Sequence, residues 1–162
     1  MIKNNIKSLL IHIAISIFSL FIYFTFNMGQ VKWATEEAAR NHHYRMMFVA
    51  IAIIAVAVIF YYNLASTRLT NRGSIYKNLF SVSIIAILGF CFWANAFNID
   101  RIGPSNRLLN SHLWENYAIF NGYSFFFISE AEVNNAYIFL LFSFIPTIAM
   151  WIGMNRKKIR LH

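Results

Sequence analysis

Along this chain, polar and apolar positions sort into four long uncharged runs, separated by segments that hold nearly all the charge. The runs cover residues 8–28, 46–65, 78–97 and 136–153. At 1.5 Å per residue, the 21 residues of the first extend about 31 Å, the thickness of a hydrocarbon core. It follows Lys3 and Lys7, as a signal peptide would. It is longer than the usual h-region and no small-x-small site follows it, so it reads as a retained span. The pattern predicts an all-α integral membrane protein, a four-transmembrane-helix bundle in a single domain over 1–162. Outer loops cover 29–45 and 98–135, and an inner loop covers 66–77.

Helix starts are marked in the polar segments. Thr35 followed by Glu36 and Glu37 suits an N-cap with carboxylates at the positive end of the helix dipole. The second helix therefore begins near Glu36, outside the lipid, and Glu36 and Arg40 share a face. Ser129-Glu130-Ala131-Glu132 fits a capping box and predicts the start of the last helix at Ser129. Pro146 should kink that helix.

The segment 98–135 cannot sit in lipid as a simple span, since it carries four of the six acidic residues. After Gly103-Pro104, Ser105 can cap a short amphipathic helix over 106–119. Leu109, Leu113, Tyr117 and Phe120 then lie on one face, widened by Leu108 and Trp114. Asn121-Gly122 makes a turn, and the aromatic run 123–128 follows. Three readings fit that run: an interfacial belt, a short buried strand, or a docking patch. Trp114, Tyr117, Tyr123, Phe125, Phe126 and Phe127 are accordingly the candidate ligand or partner contacts.

Composition agrees with lipid as the solvent. The hydrophobic fraction is 59% and the charged fraction 12%, against roughly 45–50% and about 25% in soluble domains. The net charge of +8 does not point to nucleic acid, because the basic residues sit at the ends of apolar runs rather than on one helix. Their placement sets orientation instead. Lys3, Lys7, Arg68, Arg72, Lys77, Arg156, Lys157, Lys158 and Arg160 fall on one side, against Lys32, Arg40, Arg45, Arg101 and Arg107 on the other. All six carboxylates accompany the second group. Nine against five predicts a multi-pass plasma-membrane protein with both termini cytoplasmic.

Within the first run, Ser8, His12, Ser16, Ser19, Tyr23 and Asn27 recur at spacings of four, four, three, four and four, which makes one polar stripe along a helix. Such a stripe either packs against other helices or lines a polar pathway. Asn95, Ser143 and Thr147 are candidate partners. No Asp, Glu, Lys or Arg lies in any of the four runs, so coupled transport loses its usual membrane-embedded charge. Small four-helix multidrug exporters are similar in size but use a membrane glutamate with no counterpart here.

Chemistry elsewhere is sparse. His42, His43 and His112, with Glu36, Glu37 and Glu115, suggest a metal only until spacing is considered. Neighbouring helix positions point about 100° apart, and no H-E-x-x-H or cysteine partner accompanies them. No metal site, cofactor or catalytic set is expected, and the lone Cys91 reads as a small hydrophobe. The four-span layout with a longer second outer loop resembles that of tetraspanins, without the cysteine motif that staples their loop, so it implies no activity. The expectation is a non-enzymatic accessory, sensor or immunity-type interaction partner. Its partners would be the bilayer and another membrane protein or a second copy of the chain. The alternative is a small passive transporter or channel using the first-span stripe.

Overall fold

The computed structural model describes residues 1–27, 35–99, 112–129 and 136–159, and every element among them is helical. In chain order these are α1 (Ile2–Asn27), α2 (Glu36–Arg68), α3 (Ile75–Phe80), α4 (Ile84–Ile99), α5 (His112–Phe120), α6 (Phe125–Ser129) and α7 (Ala136–Ile159). A short 3₁₀ turn, Gly122–Ser124, joins α5 to α6. Among the described residues, three helices are long and apolar enough to cross a membrane: α1, α2 and the 136–156 stretch of α7.

Polarity is inverted relative to a water-soluble bundle. Leu10, Phe21, Phe48 and Leu141 are among the large apolar side chains left on the outside, whereas Asn4, Ser8, His12, Ser16, Asn78, Ser143 and Thr147 are buried. In water such an exterior would be a large apolar patch, and lipid is the solvent that suits it.

The start of α2 forms as its sequence predicts. Thr35 has extended backbone angles and its hydroxyl accepts from the Ala38 amide at 3.2 Å, satisfying one of the free N–H groups of the first turn. The buried face of α2 then reads His42, Met46, Ala50, Ile53, Ala57, Tyr61 and Ala65. Three alanines on this line let neighbouring backbones come close, the usual device where lipid removes the hydrophobic drive to pack. α7 uses glycine to the same end. A Cβ on Gly153 would stand 2.3 Å from the Tyr62 carbonyl oxygen of α2, and one on Gly89 of α4 would stand 2.8 Å from Ser143 Cβ of α7.

The third uncharged run departs from the expected span. It is broken at 81–83 into α3 and the 16-residue α4, which is shorter than a simple crossing requires. A side chain from the other end of the molecule occupies the gap. Asn5 Nδ2 donates to the Phe80 carbonyl at 3.2 Å, and the Ile84 amide donates to Asn5 Oδ1 at 3.4 Å. Phe80 and Ile84 are the pair an unbroken helix would bond directly, so the Asn5 amide is inserted into the ladder. Next to it, Asn4 bonds reciprocally with Thr70 and also donates to Ser81 Oγ. Asn78 Nδ2 bridges Asn71 and Asn155, while its Oδ1 accepts from the Arg72 amide. These asparagines tie the start of α1, the 69–74 connection, α3 and the end of α7 into one polar layer.

The expected helix start at Ser129 is also corrected. Ser129 lies within α6 rather than at a helix start, since the helix is already under way from Phe125, with Phe126 and Ile128 anchored in the core. Glu130 and Glu132 lie outside the described residues. The expected helix over 106–119 is found as α5 from His112 to Phe120, and residues 105–111 of that expectation also lie outside them. The aromatic run is a 3₁₀ turn and a short helix rather than a strand.

Candidate functional site

The segment 112–129 folds back into the bundle. A Cβ on Gly122 would lie 2.4 Å from the carbonyl oxygen of Ser16, a residue near the middle of α1. Only glycine lets the two backbones approach so closely. The tip, Asn121 to Ser124, is buried throughout. It is held by Ser124 Oγ on the Asn121 carbonyl and by Asn121 Nδ2 on the Tyr117 carbonyl. Non-helical backbone can be buried in this way where protein surrounds it and satisfies its polar groups.

The inserted tip meets the polar stripe of α1. Ser16 Oγ donates to the Phe120 carbonyl at 2.7 Å, satisfying one of the last carbonyls of α5. His12 Nδ1 pairs with Tyr61 Oη of α2 at 2.9 Å. The imidazole is walled by the rings of Tyr61, Phe120 and Tyr123, with centroids 5.9, 4.5 and 6.4 Å away. The Phe120 carbonyl also faces this imidazole, but no hydrogen bond of ordinary geometry reaches the buried Nε2. Trp114 Nε1 is likewise buried without a partner.

A second set of contacts joins the segment to α7. Pro146 has no N–H, so the Phe142 carbonyl one turn earlier loses its helical donor. The Tyr123 hydroxyl donates to that carbonyl. Tyr117 does the same for the Phe139 carbonyl and also meets Ser143 Oγ at 3.3 Å. The Pro146 defect and the inserted Tyr123 therefore fit one another.

The remaining stripe positions are enclosed too. Ser8, Ser19 and Tyr23 are buried; Ser8 Oγ bonds back to the Asn5 carbonyl, and Tyr23 packs on Phe125 with centroids 5.2 Å apart. Asn27 is half-buried, donates to Tyr23 Oη, and meets His42 at its Oδ1. Of the candidate contact aromatics, Trp114, Tyr117, Tyr123 and Phe126 are buried and Phe125 and Phe127 half-buried. Asn95 is exposed, whereas Thr147 donates to the Val82 carbonyl at the break in the third run. Two participants were missed in the sequence. Asn4 continues the stripe four residues before Ser8, a spacing that could have revealed it. Tyr61 is the only polar residue on its stretch of α2's buried face, a weaker signal.

In the first turns of α2, His42 and His43 diverge. His43 is exposed with its ring 5.5 Å from Phe126, while His42 is buried. Arg45 Nη2 lies 3.1 Å from His42 Nδ1. A guanidinium can only donate, so Nδ1 accepts and Nε2–H donates to Asn27 Oδ1 at 3.2 Å. This geometry requires a neutral imidazole. Burial first, then the Arg45 and His43 charges, hold its pKa below the ordinary histidine range. Among the described residues no group of three His, Cys, Asp or Glu could hold a metal ion.

No protein family, curated protein or solved structure matches this chain. The fold and site define it as a chain whose described elements are all helical, three of them long and apolar enough to cross a membrane, with a buried inserted segment.

Proposed function

We propose that this protein is a non-enzymatic, multi-pass membrane protein that works as an accessory or interaction partner in the plasma membrane, with both termini cytoplasmic. The broken third run crosses as the fourth segment, α3 and α4 together. The outward end of α2 is the recognition surface. The observation that carries this reading is how the interior polar groups are used: the α1 stripe and the inserted segment close on one another through the Ser16–Phe120 bond. That arrangement favours an interaction protein over a polar pathway along α1. The first ten residues of α2 reach about 15 Å beyond the uncharged run, with Glu36, Glu37, Arg40, Asn41 and Tyr44 exposed. Their mixed charge and an aromatic suit a protein partner or a second copy of the chain.

Photo-crosslinking in native membranes tests it. A photoreactive residue in place of Tyr44 should give one discrete protein adduct, while the same residue at the outward-facing apolar Ile59 gives only lipid adducts. Identical adduct patterns from both positions would rule the reading out.

A further inference from the structure

We infer a phospholipid site on the face between α1 and α2. An apolar groove of about 180 Å³ runs there, lined by Ile15, Ser19 and Phe26 of α1 and by Val49, Val56 and Phe60 of α2. Ala52 and Ala57 leave the trough open. From Val49 to Phe60 the groove extends about 16 Å, half of a ~30 Å hydrocarbon core and therefore one leaflet deep. Its walls suit a single hydrocarbon chain, with Ser19 the one polar side chain among them.

The upper end is not apolar. Arg45 stands one helical turn before Val49, on the same face of α2. It shares a shallow concavity of about 250 Å³ with Ala38, Asn41 and His42. The exposed guanidinium uses one nitrogen to donate to His42 Nδ1, which fixes its direction and leaves the rest of its fork free for an anion. A planar fork of donors at the headgroup level matches a phosphate. A fatty chain below and a fixed cation above point to a glycerophospholipid, with its phosphate on Arg45 and Asn41 and one acyl chain in the groove.

This inference rests on the membrane reading above, and its test separates the two. The full chain, stripped of lipid in detergent, is reconstituted with phosphatidylglycerol, phosphatidylcholine or a diacylglycerol carrying the same chains. Retained lipid is then counted by native mass spectrometry. Both phospholipids should stay at about one per chain, and the diacylglycerol should wash off. Arg45→Gln should weaken phospholipid retention on the order of tenfold, the scale of one charged hydrogen bond. Ala52→Leu, which fills the trough from the lipid side, should lower it with Arg45 intact, while Lys77→Gln, the loss of an exposed cation on α3, should change nothing. Equal retention of diacylglycerol, or unchanged retention in Arg45→Gln and Ala52→Leu, overturns the site while membrane insertion stands. A chain that does not sediment with membranes overturns both.

Discussion

The Tyr123 hydroxyl donates to the Phe142 carbonyl, the one that Pro146 deprives of its helical partner. Removing that hydroxyl leaves a buried acceptor unpaired, which costs about 1–3 kcal/mol. Tyr123→Phe should therefore destabilise the protein by that amount in denaturant unfolding. In a Pro146→Ala background, the restored amide serves the carbonyl and the same substitution should cost under about 1 kcal/mol. A cost that is equal in the two backgrounds would show that the proline and the tyrosine are independent.

Gly122 predicts a steric threshold. Its missing side chain makes room for the Ser16 carbonyl, so Gly122→Ala must push the inserted tip and α1 apart. Overpacking of this kind costs about 1–3 kcal/mol. The Ser16→Ala change removes the bond to Phe120 and the contact with the Tyr61 hydroxyl, and in lipid such bonds average roughly 0.6 kcal/mol each. Amide exchange across 120–125 should accelerate more in the glycine variant than in the serine variant. The reverse order would mean that the hydrogen bond, not the close approach, holds the tip.

Asn5 should be the cause of the break in the third run. In Asn5→Ala the Phe80 carbonyl and the Ile84 amide lose the amide inserted between them and are free to bond each other. Backbone chemical shifts over 81–84 should move toward helical values, at a cost of about 1 kcal/mol for the lost bonds. Shifts that stay where they are would assign the break to Ser81, Val82 and Ser83 themselves.

The neutral His42 makes the N-terminal end of α2 sensitive to acid. Its pKa is lowered in the folded protein, so the unfolded chain binds the proton first as pH falls. The contribution is complete above the unfolded value of about 6.5 and declines as pH drops below it toward the folded value. Protonation also sets a cation against Arg45 and ends the bond between them. Thermal stability should fall below pH 6.5 in the wild type and less so in His42→Gln. Because burial is the larger cause, Arg45→Gln should narrow the pH dependence without abolishing it. A pH profile identical in wild type and His42→Gln would count against this.

Local chemistry was legible where cause and effect are close in the chain. Thr35 caps the helix that follows it, and the spacing of Ser8 through Tyr23 marked a buried face because a helix repeats on that period. The broken third run was not legible. Ser81-Val82-Ser83 sits in an uncharged run, and the side chain that occupies the gap comes from Asn5, 79 residues before Ile84. The place of 112–129 was hidden for a similar reason. Glu115 and Asn116 mark a polar face that is exposed, which reads as interfacial. The burial of Gly122 and Tyr123 is set by Ser16 and Phe142, which no local window contains.

The bond between Ser16 and Phe120 joins residues 104 positions apart, and it has a consequence in time. At a synthesis rate of roughly 5–20 residues per second, the serine emerges about 5–20 s before the carbonyl that will accept from it. Through that interval Ser16 is made without the carbonyl that will accept from it, and His12, though Tyr61 follows 49 residues on, still lacks the Phe120 and Tyr123 rings that wall it. The nascent chain needs a temporary host for them, whether the insertion machinery, water or a companion subunit, until the ribosome has passed Gly122.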